Sequence, residues 1–214
     1  MSSVKAYYDR AFGTAAARAY SPESEGTFQA RMEAALGWLP AGRLRLLDYG
    51  CERGAATAVF AEAGHEVVGV DISEEALAIA QRRAPGATFQ VVESEREIPL
   101  PDRSFDVCYC AEVAEHLFDI EGFLAEVHRL LADDGLFLLT TPYHGWLKNL
   151  LVITFFFDRH FDIYGGHIRF FSRQSLTAAL VKAGFVVEHF EGIGRFWPVW
   201  KTMFVVGRKR GVIA

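Results

Sequence analysis

Cysteine is scarce in this 214-residue chain: there are three, an odd number, which gives no basis for a disulfide framework. Cys108 and Cys110 alternate on an expected strand without a second ligand pair, which argues against zinc, and Cys51 reads as a small packing residue. Positive charge is also short, with 22 Lys and Arg against 27 Asp and Glu. A net charge of −5 argues against a broad nucleic-acid footprint. The longest apolar run, Leu150 to Phe157, is too short to span a bilayer. The opening MSSVKAYYDRAFG lacks the charged-then-apolar pattern of a secretory leader, so a cytoplasmic location is expected. There is no internal repeat and no low-complexity segment. What remains, 51% hydrophobic and 23% charged, is the composition of one globular α/β domain.

The densest information lies in LLDYGCERGAATAVFAEAGHEVVGVD, Leu46 to Asp71. Leu44, Leu46 and Leu47 form an apolar strand that Asp48 and Gly50 end. Ala55, Ala56, Val59, Phe60 and Ala63 recur at helical spacing, Gly64 closes that helix, and Val67, Val68 and Val70 make a second strand. This is a βαβ unit of the kind that cradles a nucleotide-like ligand, with Gly50 and Gly54 permitting close backbone approach. Asp71, about 20 residues on, stands where an acid binds ribose hydroxyls. Asp48 decides against a dinucleotide, because an anion beside a pyrophosphate is repelled; a carboxylate there suits a positively charged ligand.

These residues resemble the first motif, [DE]xGxGxG, of the class I S-adenosylmethionine-dependent methyltransferases. Asp48, Gly50 and Gly54 match it, while Glu52 replaces the middle glycine and is expected to point to solvent. The resemblance implies a Rossmann-like sheet of seven strands, mostly parallel with helices on both faces, and one antiparallel strand near Met203 to Val206. It implies S-adenosylmethionine as cofactor, with Asp48, Gly50, Cys51 and Gly54 around the methionine part and Asp71 and Ile72 at the ribose. One of Glu93, Ser94 or Glu95 would approach the adenine, and Ala111 would lie at the carboxyl end of the fourth strand.

The remaining chain reads as one domain, 1–214, in four parts: a helical cap (1–40), the cofactor-binding core (41–142), an apolar insertion (143–171) and a C-terminal helix and strands (172–214). Val4 to Gly26 is expected to be a short helix plus loop, and Glu23 to Leu39 an amphipathic helix. Ser73 caps a helix with Glu74 and Glu75 in its first turn. Phe89 to Val92 and Phe105 to Cys110 are strands, Glu121 to Leu131 a helix, Asp133–Asp134–Gly135 a turn, and Leu136 to Thr140 a strand. Trp146 to Gly166 is apolar on nearly every side, which predicts a buried helix. A core or dimer-forming helix and a lid over an apolar substrate are equal readings of it, and weak membrane-surface contact is a third. Ser172 caps a helix that Gly184 stops, and Phe185 to Phe190 and Met203 to Val206 are the last strands.

Glu112, Glu115 and His116 fall within five positions at the ligand-facing end of a strand, and His167 follows beside two glycines. Two carboxylates and two imidazoles could hold one divalent ion and leave room for a substrate oxygen. Without metal, His116, His144 or His167 would serve as general base, since a histidine titrates near the working pH. Glu112 is a further catalytic candidate. The pattern ExxEH with a later histidine resembles the ubiquinone-biosynthesis O-methyltransferases, together with Thr141–Pro142–Tyr143, Gly165–Gly166–His167 and Gly192 to Trp200. It also resembles the small-RNA 3′-terminal 2′-O-methyltransferases, in which this set binds a divalent metal. The expectation is methylation of a hydroxyl on a small or partly apolar molecule by a monomer or homodimer. Nucleic acid is the disfavoured acceptor, and a cofactor-binding protein without turnover stays open.

Overall fold

The computed structural model describes residues 22–160 and 166–210. The reading of Val4 to Gly26 as helix plus loop lies mostly outside them. The elements run α1 (Pro22–Trp38), β1 (Arg45–Tyr49), α2 (Ala55–Glu62), β2 (Glu66–Asp71), α3 (Glu74–Arg83), β3 (Thr88–Val91) and β4 (Phe105–Ala111). After a single 3₁₀ turn at Ala114–His116 come α4 (Ile120–Leu130), β5 (Leu131–Pro142), α5 (Trp146–Phe155), α6 (Phe157–His160), α7 (Arg173–Lys182), β6 (Phe185–Ile193) and β7 (Thr202–Lys209).

Seven strands form one sheet in the order β3-β2-β1-β4-β5-β7-β6. The first five are parallel neighbours, and β7 runs antiparallel to both β5 and β6. Strand alternation divides the core into two layers. Leu47, Tyr49, Cys108 and Leu139 pack with Phe123, Leu124 and Val127 of α4 and with Leu176 and Leu180 of α7. Leu46, Tyr109, Leu138 and Phe204 pack on the other face against Met32 and Ala35 of α1 and Phe60 of α2. Each fully buried Leu or Phe contributes about 1.5–3 kcal/mol. The chain builds outward from β1 to β2 and β3, then returns to the other side of β1 for β4. That reversal opens a crevice at the strands' carboxyl ends.

Local chemistry sets the helix ends. The Ser73 hydroxyl accepts from the Ala76 amide, and Asp119 accepts from Gly122 at the start of α4. Ser172 and Ser175 cap α7 reciprocally, and Gly184 leaves it at φ 92°. Two expectations need correcting. Asp133–Asp134–Gly135 is not a free turn before β5 but a bulged part of it, with Asp134 at φ 61° and Leu131 already paired with Phe105. The apolar helix is not buried: no residue of α5 is, and Trp146, Leu150, Ile153 and Phe155 are all exposed. Periodicity marks a helix but cannot say whether an all-round apolar one has a neighbour to bury it. Among the described residues no helix is long and apolar enough to cross a membrane.

The glycine turn is the tightest spot in the fold. Gly54 sits at φ 72°, and a Cβ there would lie 2.8 Å from the Ala80 Cβ. Gly54→Ala is therefore expected to cost about 2–3 kcal/mol and lower the melting temperature by several degrees. An unchanged melting curve would show that α2 and α3 can separate freely at this point.

Candidate functional site

A cavity of about 590 Å³ occupies the crevice at the ends of β1, β2 and β4. Gly50, Glu52, Asp71, Ile72, Ser73, Glu93, Ser94, Glu95, Ala111 and Glu112 line it, together with Arg31, Val113, His116 and the loop Leu117–Asp119. That volume lies within the range of small-molecule and cofactor pockets.

The turn after β1 is welded to β2. The Gly50 and Cys51 amides both donate to the Val70 carbonyl, at 2.8 and 3.1 Å. Asp71 then accepts from two backbone amides, Glu52 N–H to Oδ2 and Ser73 N–H to Oδ1, each at 2.9 Å. Glu52 reaches that bond from φ 48°, the left-handed conformation that a glycine of the motif would adopt without strain. Its side chain is half exposed and lies 3.7 Å from Arg53. Gly50, at φ 72°, leaves room for Val113, whose Cγ2 would come within 2.4 Å of any Cβ.

Asp48 is placed differently from its expected role. It is buried beneath the cavity rather than on its wall, and its Oδ2 accepts from the Thr57 hydroxyl at 2.6 Å. Burial pushes its carboxyl up to about 7 against the opposing pull of that hydrogen bond. The acids on the wall itself are Glu52, Asp71, Glu93, Glu95, Glu112 and Asp119. Cys51 and Gly54 also lie off the wall, although both are part of the turn. Of Glu93, Ser94 and Glu95, expected from the resemblance to offer one partner to adenine, Glu95 is already committed. Its two oxygens accept from the Phe118 and Asp119 amides at 3.0 and 2.7 Å.

The acidic and imidazole candidates separate into two groups. Glu115, His116 and His167 converge, with one ligand atom of each lying within 4.8 Å of the others. The His116 Nδ1 stands 2.8 Å from the Gly166 carbonyl, which places its Nε2 3.9 Å from Glu115 Oε1. That Oε1 is buried with no hydrogen-bond partner, while Oε2 accepts from the Thr141 hydroxyl at 3.0 Å. Burial, and then the neighbouring Glu112, push Glu115 up to about 8. Desolvation, then the His116 charge, lower His167. Glu112 stands outside this cluster, with Oε1 held by the Thr140 and Thr202 hydroxyls at 2.9 and 2.6 Å and 3.5 Å from Arg31. Its own φ of 57° turns it that way. His144, on the other side, stacks against Phe170 and His160, and burial lowers it to about 4, which makes it a weak base.

A clamp joins the two halves of the site. The Ile168 and Arg169 amides donate to the Glu115 carbonyl, and the Arg169 guanidinium donates to the Leu117 and Phe118 carbonyls at 2.8 and 2.5 Å. Glu95 grips the same short loop from the cavity side. Neither clamp is visible in sequence, because both use side chains to hold backbone 20 to 50 residues away.

Residues 10–190 match the family model described as a methyltransferase domain. The chain belongs to that family. It is 34% identical over 148 residues to a "probable S-adenosylmethionine-dependent methyltransferase" of Mycolicibacterium smegmatis, covering 69% of this chain and 54% of that protein. It is 31% identical over 115 residues to a ubiquinone biosynthesis O-methyltransferase of Bradyrhizobium diazoefficiens, covering 52% and 45%. An S-adenosylmethionine-dependent methyltransferase structure from Thermotoga maritima superposes with a TM-score of 0.73 at 20% identity over 96% and 99% of the two chains, a likeness of fold. The chain spans about half the length of the curated relatives it matches first.

For a methyltransferase domain, the residue missed in sequence is Arg31. It reaches the cavity from α1, and its Nε is buried without a partner. Arg31 and Arg96 are the cationic side chains on the wall, and Arg96 pairs with Asp119 at the far end. The only signal in sequence is a cation on the apolar side of an amphipathic helix, which usually means a snorkelling side chain.

Asp48 provides a test of its structural role. A folded-state carboxyl raised above its unfolded value binds its proton more tightly in the native protein, so stability falls as pH rises toward and through about 7. Asp48→Asn keeps an acceptor for Thr57 and removes that titration. Its melting temperature is expected to fall less between pH 5 and pH 8, on the order of the interval set by the two pKa values. An unaltered pH profile would show that Asp48 is ionised throughout.

Proposed function

We propose that this domain transfers a methyl group from S-adenosylmethionine to a hydroxyl oxygen of a small or partly apolar acceptor. The observation that carries the reading is the cavity itself: an acid-lined crevice, closed by a glycine turn, with Asp71 held by two amides and an imidazole–carboxylate cluster at its rim. The residues fit the cofactor. Asp71 has both oxygens oriented by backbone amides and accepts readily from ribose hydroxyls. Glu93 and Ser94 are the adenine-side candidates, since Glu95 is occupied. Arg31 is the cation beside Glu112, where a carboxylate of the methionine part would seek one.

When bound, the cofactor supplies an electrophilic methyl on a sulfonium centre. This chain's own residues would hold the acceptor oxygen in line with that methyl, and His116 or His167 would take the acceptor's proton as the methyl is transferred and the demethylated thioether is left. The acid-lined wall favours the positive charge before transfer, so the chain's main contribution is alignment of the acceptor oxygen against the methyl carbon. Removing Asp71 tests the cofactor half. Asp71→Ala is expected to weaken S-adenosylhomocysteine binding about 10–100-fold by calorimetry, and unchanged affinity would take Asp71 out of the site.

The cluster of Glu115, His116 and His167 also fits a divalent cation. A buried carboxylate oxygen without a partner and an imidazole oriented through its other nitrogen by a backbone carbonyl are the features a ligand set needs. These three residues would hold the ion, and Glu112 would lie beside it. Such an ion would supply Lewis acidity toward an acceptor hydroxyl. Mn²⁺ or Zn²⁺ is expected to raise the melting temperature of the wild type and not of Glu115→Gln. Equal shifts in both, or activity unaffected by chelator and by Glu115→Ala, would leave the histidines acting alone.

A further inference from the structure

We propose that the outer face of α5, together with the loop between β6 and β7, docks on an anionic lipid bilayer surface. The inference stands apart from the reaction, since it requires neither a particular acceptor nor a metal. Trp146, Leu150 and Ile153 follow one another at helical spacing along α5 and are 78%, 54% and 54% exposed. They form an apolar stripe that faces away from the protein, whereas a lid would turn such side chains inward. Phe196 and Trp197 on the β6–β7 loop are 77% and 66% exposed. The loop meets the base of α5 through the rings of Tyr143 and Trp200, 5.2 Å apart, and through the mutual field of Lys148 and Arg195. A monomeric protein rarely exposes this much apolar surface in one place without a use for it.

Charge selects the occupant. Stretches 143–157, 166–173 and 192–201 come together here, as the contact of His144 with Phe170 also shows. Their exposed cations are Arg173, Arg195 and Lys201, while Lys148 and Arg169 turn inward to the Tyr143 carbonyl and to the Leu117 and Phe118 carbonyls; the stretches hold no acid, and in sequence Asp158, Asp162 and Glu191 lie just outside them. A second copy packed isologously would bring two patches of the same sign together. A nucleic acid would leave the apolar stripe in water. An anionic bilayer accepts both features: the aromatic and aliphatic side chains enter the headgroup boundary and the cations meet acidic headgroups.

The test is flotation of the purified chain with vesicles of phosphatidylcholine alone or of phosphatidylcholine mixed with phosphatidylglycerol. Wild-type protein is expected to float with the mixed vesicles, less so in added salt, and weakly with the neutral ones. Leu150→Glu and Ile153→Glu, both outward-facing, are expected to reduce binding about tenfold or more with unchanged melting temperature. Arg195→Glu is expected to weaken it by a smaller factor. The proposal is overturned if the wild type stays in solution with both vesicle types, if it binds both equally, or if the two Glu variants bind as the wild type does. It is also overturned by a wild-type dimer that these variants split, which would assign the face to a second copy.

Discussion

Two backbone amides on one carboxylate organise the site. The Asp71 oxygens are held by Glu52 from the turn after β1 and by Ser73 from the start of α3, so the end of β2 becomes the hinge post of the crevice. The arrangement needs the turn to reach back to β2, which it does through Gly50 and Cys51 on the Val70 carbonyl. It also needs a left-handed residue to aim the Glu52 N–H, which costs that residue about 1–2 kcal/mol of backbone strain. Amides that donate to a carboxylate keep it oriented toward the cavity while leaving acceptor capacity on both oxygens.

Around that post the charges are graded by depth. Burial pushes the carboxyls of Asp71 and Glu52 on the wall upward, and does the same to Asp48 below and Glu115 behind, to about 7 and about 8. A fold that buries two carboxyls so close to its ligand crevice holds them as reserves of proton or of charge. Asp48 is satisfied by Thr57 and acts through the packing of the turn. Glu115 retains one oxygen without a hydrogen-bond partner and adjoins two imidazoles, the arrangement in which a cation or a proton is most strongly retained.

Much of this was legible in the chain. The glycine turn, Asp71 about 20 residues on and the caps at Ser73 and Ser172 are local signals, because each depends on residues within a few positions of one another. The seven strands and the antiparallel strand near Met203 followed from the family resemblance and agree with the sheet. The positions that sequence misplaced depend on distant partners. Glu112 was grouped with its neighbours in the chain, but Thr202, ninety residues later, claims its carboxylate. Asp48 was expected at the ligand from its motif position, and the structure adds a partner that the motif does not show, the Thr57 hydroxyl on its Oδ2. Helical spacing in α5 was correct, yet spacing alone says nothing of which side has a neighbour. Arg31 went unnoticed because its place on the cavity wall depends on α1 packing near the end of β4.

The central claim is that the crevice beside Asp71 is built for an adenosyl ligand. A crystal structure of the protein soaked with S-adenosylhomocysteine measures this directly. The account predicts density along the Gly50 turn, with ribose hydroxyls on Asp71, the sulfur facing His116 and the carboxylate end near Arg31. Density in any other place, or an empty crevice at saturating ligand, contradicts it.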